Sequence, residues 1–526
     1  MKTITTIPRK VRGFRDIDPD LCRLRTRIVE SASRVYERYG FEPHDTPVLE
    51  YAECLGKYLP DRDTAAEGVY SFRNPDLEPV LDESGREVRD DRNHVVMEHH
   101  LLAMRYDLTA PLARLYAEML WQRHQKGQVA DGDSAPLFRR YQAGPVFRFE
   151  AKLDPGRYRE FWQLDFDTVG TSDVACDAEV CRVLSDALEA CGIQRGGYEI
   201  KVGHRKLHKG LFERLGLAGN EDLGQGILRV VDKLDKIGAS GAALELGKGR
   251  EDPESGAFIP GLGLESKLVG SVVAYIQAAD GLDERDKVLE TLRSQVGGTA
   301  SGEEAIRDLV TINAILKALG YDEERVVFDP SVARGLAYYT GPVFEAVSRL
   351  EYRDDKGTVR RFGSICGGGR YDGLVERLLG LKVPATGASI GVDRLAELLR
   401  RQETRGVQGP VMIIVMDPER LAEYETMACE LRAAGLAAEV YYGARKKLKA
   451  QMAYADSRSS AVAVIAGGNE FEKGTVSLKD LRAGRLLSTE VKDRKEWRES
   501  KPGQTEVKRD DLVNAVKAML QETASR

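Results

Sequence analysis

The amino-acid sequence predicts a mixed α/β protein of two to four domains, and three observations support this fold class. The chain has 526 residues, which exceeds the size of most single domains. Two runs of mixed apolar, aromatic and polar residues, 138–150 and 160–169, predict strands joined by a long loop. Residues 411–466 alternate strand-like and helical segments in the order β-α-β-α-β, which indicates a small, mostly parallel α/β domain.

The first element along the chain is a helix predicted over residues 19–39. Asp18 can cap its start, Pro19 suits its first turn and Gly40 is placed to end it. Apolar side chains recur at helical spacing on one face, namely Leu21, Leu24, Ile28, Ala32, Val35, Tyr36 and Tyr39. Further on, the polar residues 74–100 predict a surface loop or a hairpin.

The middle of the chain changes character twice. A helix is predicted over 173–191, and the polar stretch 205–322, with its scattered glycines, predicts a helical insertion. Strands are predicted at 324–328, 341–347 and 358–365, before a helix that begins near Val392. We therefore predict one domain split between 1–204 and 323–402, with the insertion between its halves.

A polar linker at 401–409 separates this part from the tail domain, 409–526. The predicted tail strands are 411–416, 437–442 and 461–466, and the predicted helices are 418–434, 448–457 and 510–520. The charged residues 492–505 predict an exposed excursion.

The composition excludes several classes of protein. A net charge of −6 excludes a uniformly basic surface, although local basic patches can still bind nucleic acid. The seven cysteines are odd in number and lack C-x-x-C spacing, so we expect no disulfide framework, no protein-ligated metal and a reducing cytoplasm. No apolar run reaches about 18 residues, so no membrane span or signal peptide is expected. The basic residues within 1–15 leave a mitochondrial presequence as an alternative.

An arginine inside an apolar and aromatic run is the first candidate for chemistry. Arg148 stays ionised and offers a planar fork of donors, so it needs a carboxylate or phosphate partner. A structural salt bridge is the alternative. On the next predicted strand, Gln163, Asp165 and Asp167 alternate and share one face. Arginines beside such acids suit a ligand with both negative and positive groups, such as an amino acid joined to a nucleotide.

These segments resemble the three motifs of class II aminoacyl-tRNA synthetases. Residues 147–150 with the loop 156–161 resemble motif 2, and residues 387–395 resemble motif 3. The helix 19–39 and the residues after it resemble motif 1, the dimer-forming element. Each motif alone is weak, but the three in this order are specific. The resemblance implies an antiparallel-sheet catalytic domain with a helical insertion and a C-terminal α/β anticodon-binding domain, an α/β (α+β) fold.

Four further segments resemble histidyl-tRNA synthetases of the eukaryote-like type, also found in alpha-proteobacteria: 12–16, 104–109, 334–341 and 367–373. Two departures stand out. Ala337 replaces an acid that the family usually carries, and the loop 151–155 lacks the usual Arg-Pro start. The sequence therefore makes no prediction of how the first base pair of the tRNA is read.

The resemblance implies an ATP-dependent ligase that converts L-histidine to histidyl-adenylate and then transfers histidine to the 3′ end of tRNA(His). Arg148 and Arg334 would be catalytic, at the α-phosphate. The implied ATP-binding residues are Arg148, Glu150, Arg157, Arg159 and Arg394. The implied histidine-binding residues are Asp107, Thr109, Gln163, Asp167, Arg334, Tyr338, Tyr339 and Tyr371. The implied tRNA-binding residues are Arg445, Lys446, Lys447 and Lys449.

The family also implies Mg²⁺ bound through the ATP phosphates and a homodimer. The insertion would contact the acceptor arm of the tRNA. Alternatives remain at single sites: Tyr338 and Tyr339 as core aromatics, Gly367–Gly369 as a bulged strand or turn, and the basic run as a solvated helix face. Two rivals exist for the whole chain, a regulatory paralogue in histidine biosynthesis and an RNA-binding or signalling protein built on an inactive synthetase. The motif arginines and the long tail favour the ligase.

Overall fold

The computed structural model of the protein describes most of the chain. The described residues are 7–56, 68–82, 85–126, 135–149, 158–253, 256–332, 339–353, 357–373, 375–402, 409–444, 447–481 and 503–525. They belong to two compact units, 1–402 and 403–526. The finer division, with 205–322 as a separate insertion, stays a prediction.

The first unit contains strands and helices of very different lengths. Its strands are β1 (Glu42–Pro43), β2 (Leu49–Tyr51), β3 (Ser71–Arg73), β4 (Glu78–Pro79), β5 (Met97–Glu98), β6 (Leu101–Met104), β7 (Phe138–Phe147), β8 (Glu160–Val169), β9 (Tyr198–His204), β10 (Gly249–Glu251), β11 (Phe258–Pro260), β12 (Val326–Phe328), β13 (Pro342–Arg353), β14 (Val359–Arg370) and β15 (Ala385–Gly391). Its helices are α1 (Pro19–Arg38), α2 (Ala52–Gly56), α3 (Thr109–Gln125), α4 (Ala175–Ala190), α5 (Arg205–Arg214), α6 (Glu221–Val231), α7 (Leu234–Leu246), α8 (Ser266–Ile276), α9 (Arg285–Val296), α10 (Ala300–Ala318), α11 (Glu376–Leu379) and α12 (Val392–Gln402).

An eight-stranded sheet with the order β1-β7-β8-β15-β14-β13-β9-β12 forms the centre of this unit. Its neighbours are antiparallel except at the two edges, where β1 pairs with β7 and β12 with β9 in parallel. The predicted strands over 138–150 and 160–169 are β7 and β8, which pair directly. Within this central sheet, β9 and β15 were not predicted, and both lie between other strands.

The helix α1 begins and packs as its sequence predicts. The Asp18 carboxylate accepts hydrogen bonds from the amides of Asp20 and Leu21 at 3.1 and 3.0 Å. Its predicted apolar face is buried apart from Tyr39, which caps the helix C-terminus, is only half-buried and donates its hydroxyl to Asp186 at 2.9 Å. Packing against the sheet and the helices around it therefore anchors α1 in the core.

The stretch 205–322 is helical as predicted, with a short hairpin of β10 and β11. Its apolar residues join one continuous core with those of the central sheet. Within 74–100, β4 pairs with β5, and isolated bridges join Leu81 to Glu87 and Arg89 to Val95, so the hairpin alternative is confirmed. A separate small sheet has the order β2-β6-β3.

The second unit is an α/β domain with a five-stranded sheet in the order β17-β16-β18-β19-β20. Its strands are β16 (Val411–Val415), β17 (Ala438–Val440), β18 (Val462–Ala466), β19 (Thr475–Asp480) and β20 (Gln504–Lys508). Its helices are α13 (Leu421–Ala433), α14 (Leu448–Ser457), α15 (Gly468–Lys473) and α16 (Leu512–Ser525).

The predicted parallel part of this sheet is confirmed, because β16 pairs in parallel with both β17 and β18. The strands β19 and β20 were missed and are antiparallel. The predicted excursion 492–505 is wrong at its end, where Gln504 begins a strand that pairs with β19; its remaining residues through 502 lie outside the described residues.

Candidate active site

A cavity of about 270 Å³ opens on one face of the central sheet. Its walls come from β8, β14 and β15 and from the chain next to α3 and α12. The predicted site residues that line it are Asp107, Thr109, Arg148, Gln163, Asp167, Tyr339, Tyr371 and Arg394. The fold therefore gathers candidates from distant parts of the sequence into one pocket.

Arg159 is described and is not among the residues that line this cavity. The Arg159 guanidinium lies 4.0 Å from the Phe149 ring centroid and donates to the Arg12 backbone carbonyl at 3.4 Å. Glu150, Arg157, Arg334 and Tyr338 fall outside the described residues, as does Ala337. Their roles stay predictions.

Arg148 follows β7 directly and is held by aromatic and backbone contacts. Its Nε donates to the Tyr106 carbonyl at 3.1 Å, and its guanidinium lies 4.3 Å from the Tyr106 ring centroid and 5.2 Å from that of Phe161. Among the described residues, no carboxylate lies within salt-bridge distance of it. Aromatic and backbone contacts hold Arg148 within the described part of the chain, and its fork can serve an anionic ligand.

Asp107 combines a structural and a ligand-facing position. Its Oδ1 accepts hydrogen bonds from the amides of Thr109 and Ala110 at 3.1 and 2.9 Å, which caps α3. Burial raises the pKa of this carboxyl, while the Ala110 amide and the Arg148 guanidinium oppose the rise. Capping fixes the carboxylate at the cavity wall.

The acidic face of β8 lies in the cavity, as the alternation of Gln163, Asp165 and Asp167 predicts. Burial raises the pKa of Asp165 to about 7, with the neighbouring Asp167 adding to the rise. Burial also raises the pKa of Asp167, which accepts a hydrogen bond from the Tyr371 hydroxyl. A cationic or hydrogen-bond-donating ligand group would relieve this accumulation of buried carboxylates.

Two buried arginines behind these acids were missed by the sequence prediction. Arg140 on β7 stands opposite Asp167 in the strand ladder, and their side chains approach to 2.9 Å. Arg105 donates to the carbonyls of Pro145 and Thr46, both at 2.8 Å. The only sequence signal was a charged residue within a strand-like run, which is also typical of exposed strands.

Glycines give this site its close packing. A Cβ on Gly387 would lie 2.3 Å from Asp167 Oδ1, and one on Gly369 would lie 2.7 Å from the Tyr339 ring. Gly367 and Gly368 belong to the regular strand β14 and also line the cavity. The glycine run is therefore neither a turn nor a bulge, and its contact with a ligand stays a prediction. Tyr339 likewise packs against a core cluster and lines the cavity.

Motif 3 supplies the start of α12. Arg394 lines the cavity and donates to the Phe362 carbonyl at 3.3 Å. The preceding Asp393 turns inward, where its Oδ1 accepts hydrogen bonds from Arg15 and Arg25 and its Oδ2 accepts one from the Trp162 amide at 2.6 Å. The acid thus fixes the helix that carries Arg394 against α1 and β8.

The sequence profile of the family described as histidyl-tRNA synthetase matches residues 76–395, more than half of the chain. The chain belongs to the histidyl-tRNA synthetase family. A second profile, described as an anticodon binding domain, matches residues 410–519. The class II catalytic domain and the anticodon-binding domain expected from the sequence are therefore both present.

Curated relatives match this family member over nearly its whole length. The histidine–tRNA ligase of Paracoccus denitrificans strain Pd 1222 is 45% identical over 511 residues, which cover 97% of this chain and 97% of that protein. The histidine–tRNA ligase of Brucella ovis is 44% identical over 517 residues, 97% of this chain and 95% of that protein. These matches agree with the alpha-proteobacterial type that the sequence resembles.

Solved structures also match. The crystal structure of histidyl-tRNA synthetase from Nostoc sp. PCC 7120 has a TM-score of 0.67 and 27% sequence identity, and covers 98% of this chain and 100% of that one. A structure described as an ATP phosphoribosyltransferase regulatory subunit/histidyl-tRNA synthetase from Bacillus halodurans has a TM-score of 0.59 at 22% identity and covers 86% of this chain and 97% of that one. The second match shows a shared fold.

The described part of the chain lacks two further features. No group of three or more His, Cys, Asp or Glu side chains in it is arranged to hold a metal ion. None of its helices is long and apolar enough to cross a membrane.

Proposed function

We propose that this synthetase-family chain activates L-histidine with ATP and transfers it to the 3′ end of tRNA(His). The observation that carries the proposal is the cavity itself, which sets the guanidinium groups of Arg148 and Arg394 against the buried carboxylates of β8 and Asp107. A zwitterionic amino acid and a nucleotide phosphate together match this distribution of charge.

In the first step the histidine carboxylate attacks the α-phosphorus of ATP and pyrophosphate leaves. Charge develops on the phosphate oxygens, so fixed cations beside them lower the barrier. We assign this role to Arg148 and, by the family resemblance, to Arg334. Arg394 contacts ATP at the start of α12, while Arg157, Arg159 and Glu150 serve the rest of the nucleotide. No nucleophilic side chain is required, because the substrate supplies the nucleophile.

The imidazole is assigned to the end of the cavity near Asp167. This carboxylate already accepts the Tyr371 hydroxyl, and the Tyr339 ring lies 6.4 Å from the Tyr371 ring, centroid to centroid. Polar groups around a buried ring reject side chains that leave them without hydrogen bonds. The amino end of histidine is assigned to Asp107, Thr109 and Gln163, and Tyr338 completes the pocket by resemblance.

The second step requires tRNA(His). The second unit supplies a site for the anticodon, with Lys447 immediately before α14 and the exposed Lys449 in its first turn. Arg445 and Lys446 lie outside the described residues and belong to the same basic run. Basic side chains beside aromatic ones suit a single-stranded RNA loop.

Mg²⁺ enters this proposal through the phosphates of ATP. The proposed compartment is the cytoplasm. All seven cysteines are free thiols in the structure, a state that the reducing cytoplasm maintains.

A homodimer is the proposed assembly. Leu49, Tyr51 and Phe72 are exposed and share one face of the small sheet, and Leu77, Leu81 and Met97 are exposed in and around the nearby hairpin. Exposed apolar side chains grouped in this way are typical of an interface in soluble proteins. Sedimentation should give a dimer at micromolar concentration for the wild type and a monomer for Phe72→Asp. Leu319→Asp, at a similarly exposed position on the chain after α10, should remain dimeric.

The decisive experiment is histidine-dependent exchange of pyrophosphate into ATP, followed by charging of tRNA(His). We expect exchange with histidine alone among the amino acids, and a loss of exchange in Arg148→Ala. Absence of exchange in the wild type would favour a regulatory paralogue. Exchange without charging would favour a protein that retains only adenylation.

A further inference from the structure

Gln163 is held in one orientation by a neighbour on the next strand. Its Nε2 donates to the Ser389 hydroxyl at 2.9 Å. In the ladder between β8 and β15, Ser389 stands directly opposite Asp165. Ser389 also opposes the rise in the pKa of the Asp165 carboxyl, which its hydroxyl faces across the two strands. Three side chains on two strands thus meet along the cavity wall.

The direction of the hydrogen bond with Gln163 follows from the groups around it. At pH 8, above the pKa of about 7, the Asp165 carboxylate is mainly ionised and can only accept, so the Ser389 hydroxyl turns its single proton towards Asp165. Towards Gln163 the hydroxyl can then only accept, and it requires the amide nitrogen on that side. The Oε1 of Gln163 is thereby turned away from Ser389. It is buried beside the cavity and has no hydrogen-bond partner among the described residues.

The charges around this oxygen favour a cationic partner. Asp107 and Asp167 both raise the pKa of Asp165 beyond the effect of burial, which shows that the three carboxyls lie close enough to repel one another. A buried acceptor without a partner is costly, and a charged donor is the ligand that satisfies it best. The α-ammonium of an amino acid is such a donor.

We propose that Ser389, oriented by Asp165, is a positioning residue that fixes the Gln163 amide with its Oε1 as the acceptor for the α-ammonium of the substrate. This inference rests on the proposed function and adds two residues to its site. The other orientation of the amide would present its NH2 group to the ammonium and repel it. Ser389 and Asp165 therefore favour a free amino group on the substrate, although neither residue contacts that group; they act through the Gln163 amide.

The test removes the hydroxyl and the ammonium separately. The Kd of L-histidine and the inhibition constant of 3-(imidazol-4-yl)propionate, which lacks the amino group, are measured at pH 8 for the wild type and for Ser389→Ala. We expect histidine to bind roughly tenfold more weakly to the variant, the size of one hydrogen bond to a charged group. The propionate should bind within about twofold of its wild-type value, because it makes no contact with Oε1.

Matched variants separate positioning from folding. Ser389→Thr keeps the hydroxyl, and its methyl group has room because Gly367 stands opposite, so it should restore histidine binding. Ser348→Ala removes another buried serine hydroxyl from the same sheet, outside the cavity, and should change neither ligand. If Ser389→Ala does not fold, Ser389→Cys replaces it with the same expected split, since a thiol is a poor donor and acceptor.

Equal weakening of both ligands in the alanine variant, or unchanged binding of histidine, would overturn the inference while leaving the proposed function intact. Two results for the wild type would instead overturn the proposed function and this inference with it. One is pyrophosphate exchange that does not require histidine, and the other is a failure to bind histidine.

Discussion

The Arg140 guanidinium lies 2.9 Å from the Asp167 carboxylate, and neither side chain is more than 4% exposed. The two residues are direct partners in the ladder of β7 and β8, so the backbone register itself creates the pair. Arg140 also donates to the Leu108 carbonyl at 2.9 Å and to the Gln142 side chain. The arginine thus ties the acid of the cavity to the chain that leads into α3.

We expect Arg140→Met to destabilise the protein strongly, because it leaves Asp167 charged and buried without its partner. Breaking such a pair costs about 3–5 kcal/mol. Urea denaturation followed by tryptophan fluorescence measures this loss. Arg361→Met, which breaks an exposed pair with Glu351, should cost less than about 1 kcal/mol. Adding Asp167→Asn to Arg140→Met should recover much of the stability without restoring activity, and failure to recover it would contradict the charge argument.

A second prediction concerns pH. The pKa of Asp165 is raised from 3.8 to about 7, so the folded protein holds a proton that the unfolded chain releases. The associated stability is fully present below about pH 4 and is lost as the pH rises through 7. Asp165→Asn removes this dependence. Its melting temperature should exceed that of the wild type at pH 8, and the gain should shrink steadily towards pH 5.

The same substitution should weaken histidine binding, because the site then lacks a carboxylate that orients Ser389. Thermal melts and histidine binding measured across pH 5–8 check both effects. A difference in melting temperature that does not vary with pH would contradict the assignment. If the variant is more stable but binds histidine more weakly, Asp165 lowers the stability of the fold while it supports binding, which is a trade-off common at functional sites.

The sequence predicted those helices and strands whose formation depends on residues close together in the chain. Asp18 and Gly40 bound α1 because capping and chain reversal depend on neighbouring residues alone. The acids on β8 were assigned to one face because side chains alternate along any strand. Recognition of the family motifs then linked these segments, and eight of the predicted site residues line one cavity.

Strands that form only because they pair with strands far away in the sequence could not be predicted in this way. The strand β15 is rich in glycine, alanine and serine, which do not favour strands, and it forms because β8 and β14 flank it. Arg140 and Ser389 belong to the site only through their register with Asp167 and Asp165. No pattern within either strand encodes which residue will stand opposite.

The close approach of β15 to Asp167 gives a third prediction. A methyl group on Gly387 would lie 2.3 Å from Asp167 Oδ1 and 2.5 Å from the Phe166 carbonyl, so one strand must shift. We expect Gly387→Ala to lose about 1–3 kcal/mol, as for overpacked cores, and to raise the KM for histidine more than that for ATP. Gly270→Ala within α8, where a Cβ meets no atom within 4 Å, should be neutral or slightly stabilising. Equal effects at both positions would contradict the steric explanation.

The fourth prediction separates the fixing of α12 from contact with substrate. The Asp393 carboxylate forms salt bridges with both Arg15 and Arg25 at 2.9 Å. Glu397, one helical turn further on, forms a salt bridge with Arg15 alone among the described residues. Asp393→Asn keeps the shape of the side chain but removes its charge. Because the two arginine partners are partly exposed, we expect the free energy of unfolding to fall by about 2 kcal/mol. The KM for ATP should rise because Arg394 follows directly, while the KM for histidine changes less.

Glu397→Gln provides the matched control, since it loses one ion pair on the same helix and leaves the inward carboxylate intact. It should cost less than about 1 kcal/mol and leave both KM values near those of the wild type. Thermal melts and pyrophosphate exchange measure the two effects separately. If Asp393→Asn lowered stability but left the KM for ATP unchanged, Arg394 would keep its place without the Asp393 anchor, and the link between that anchor and nucleotide binding would be wrong.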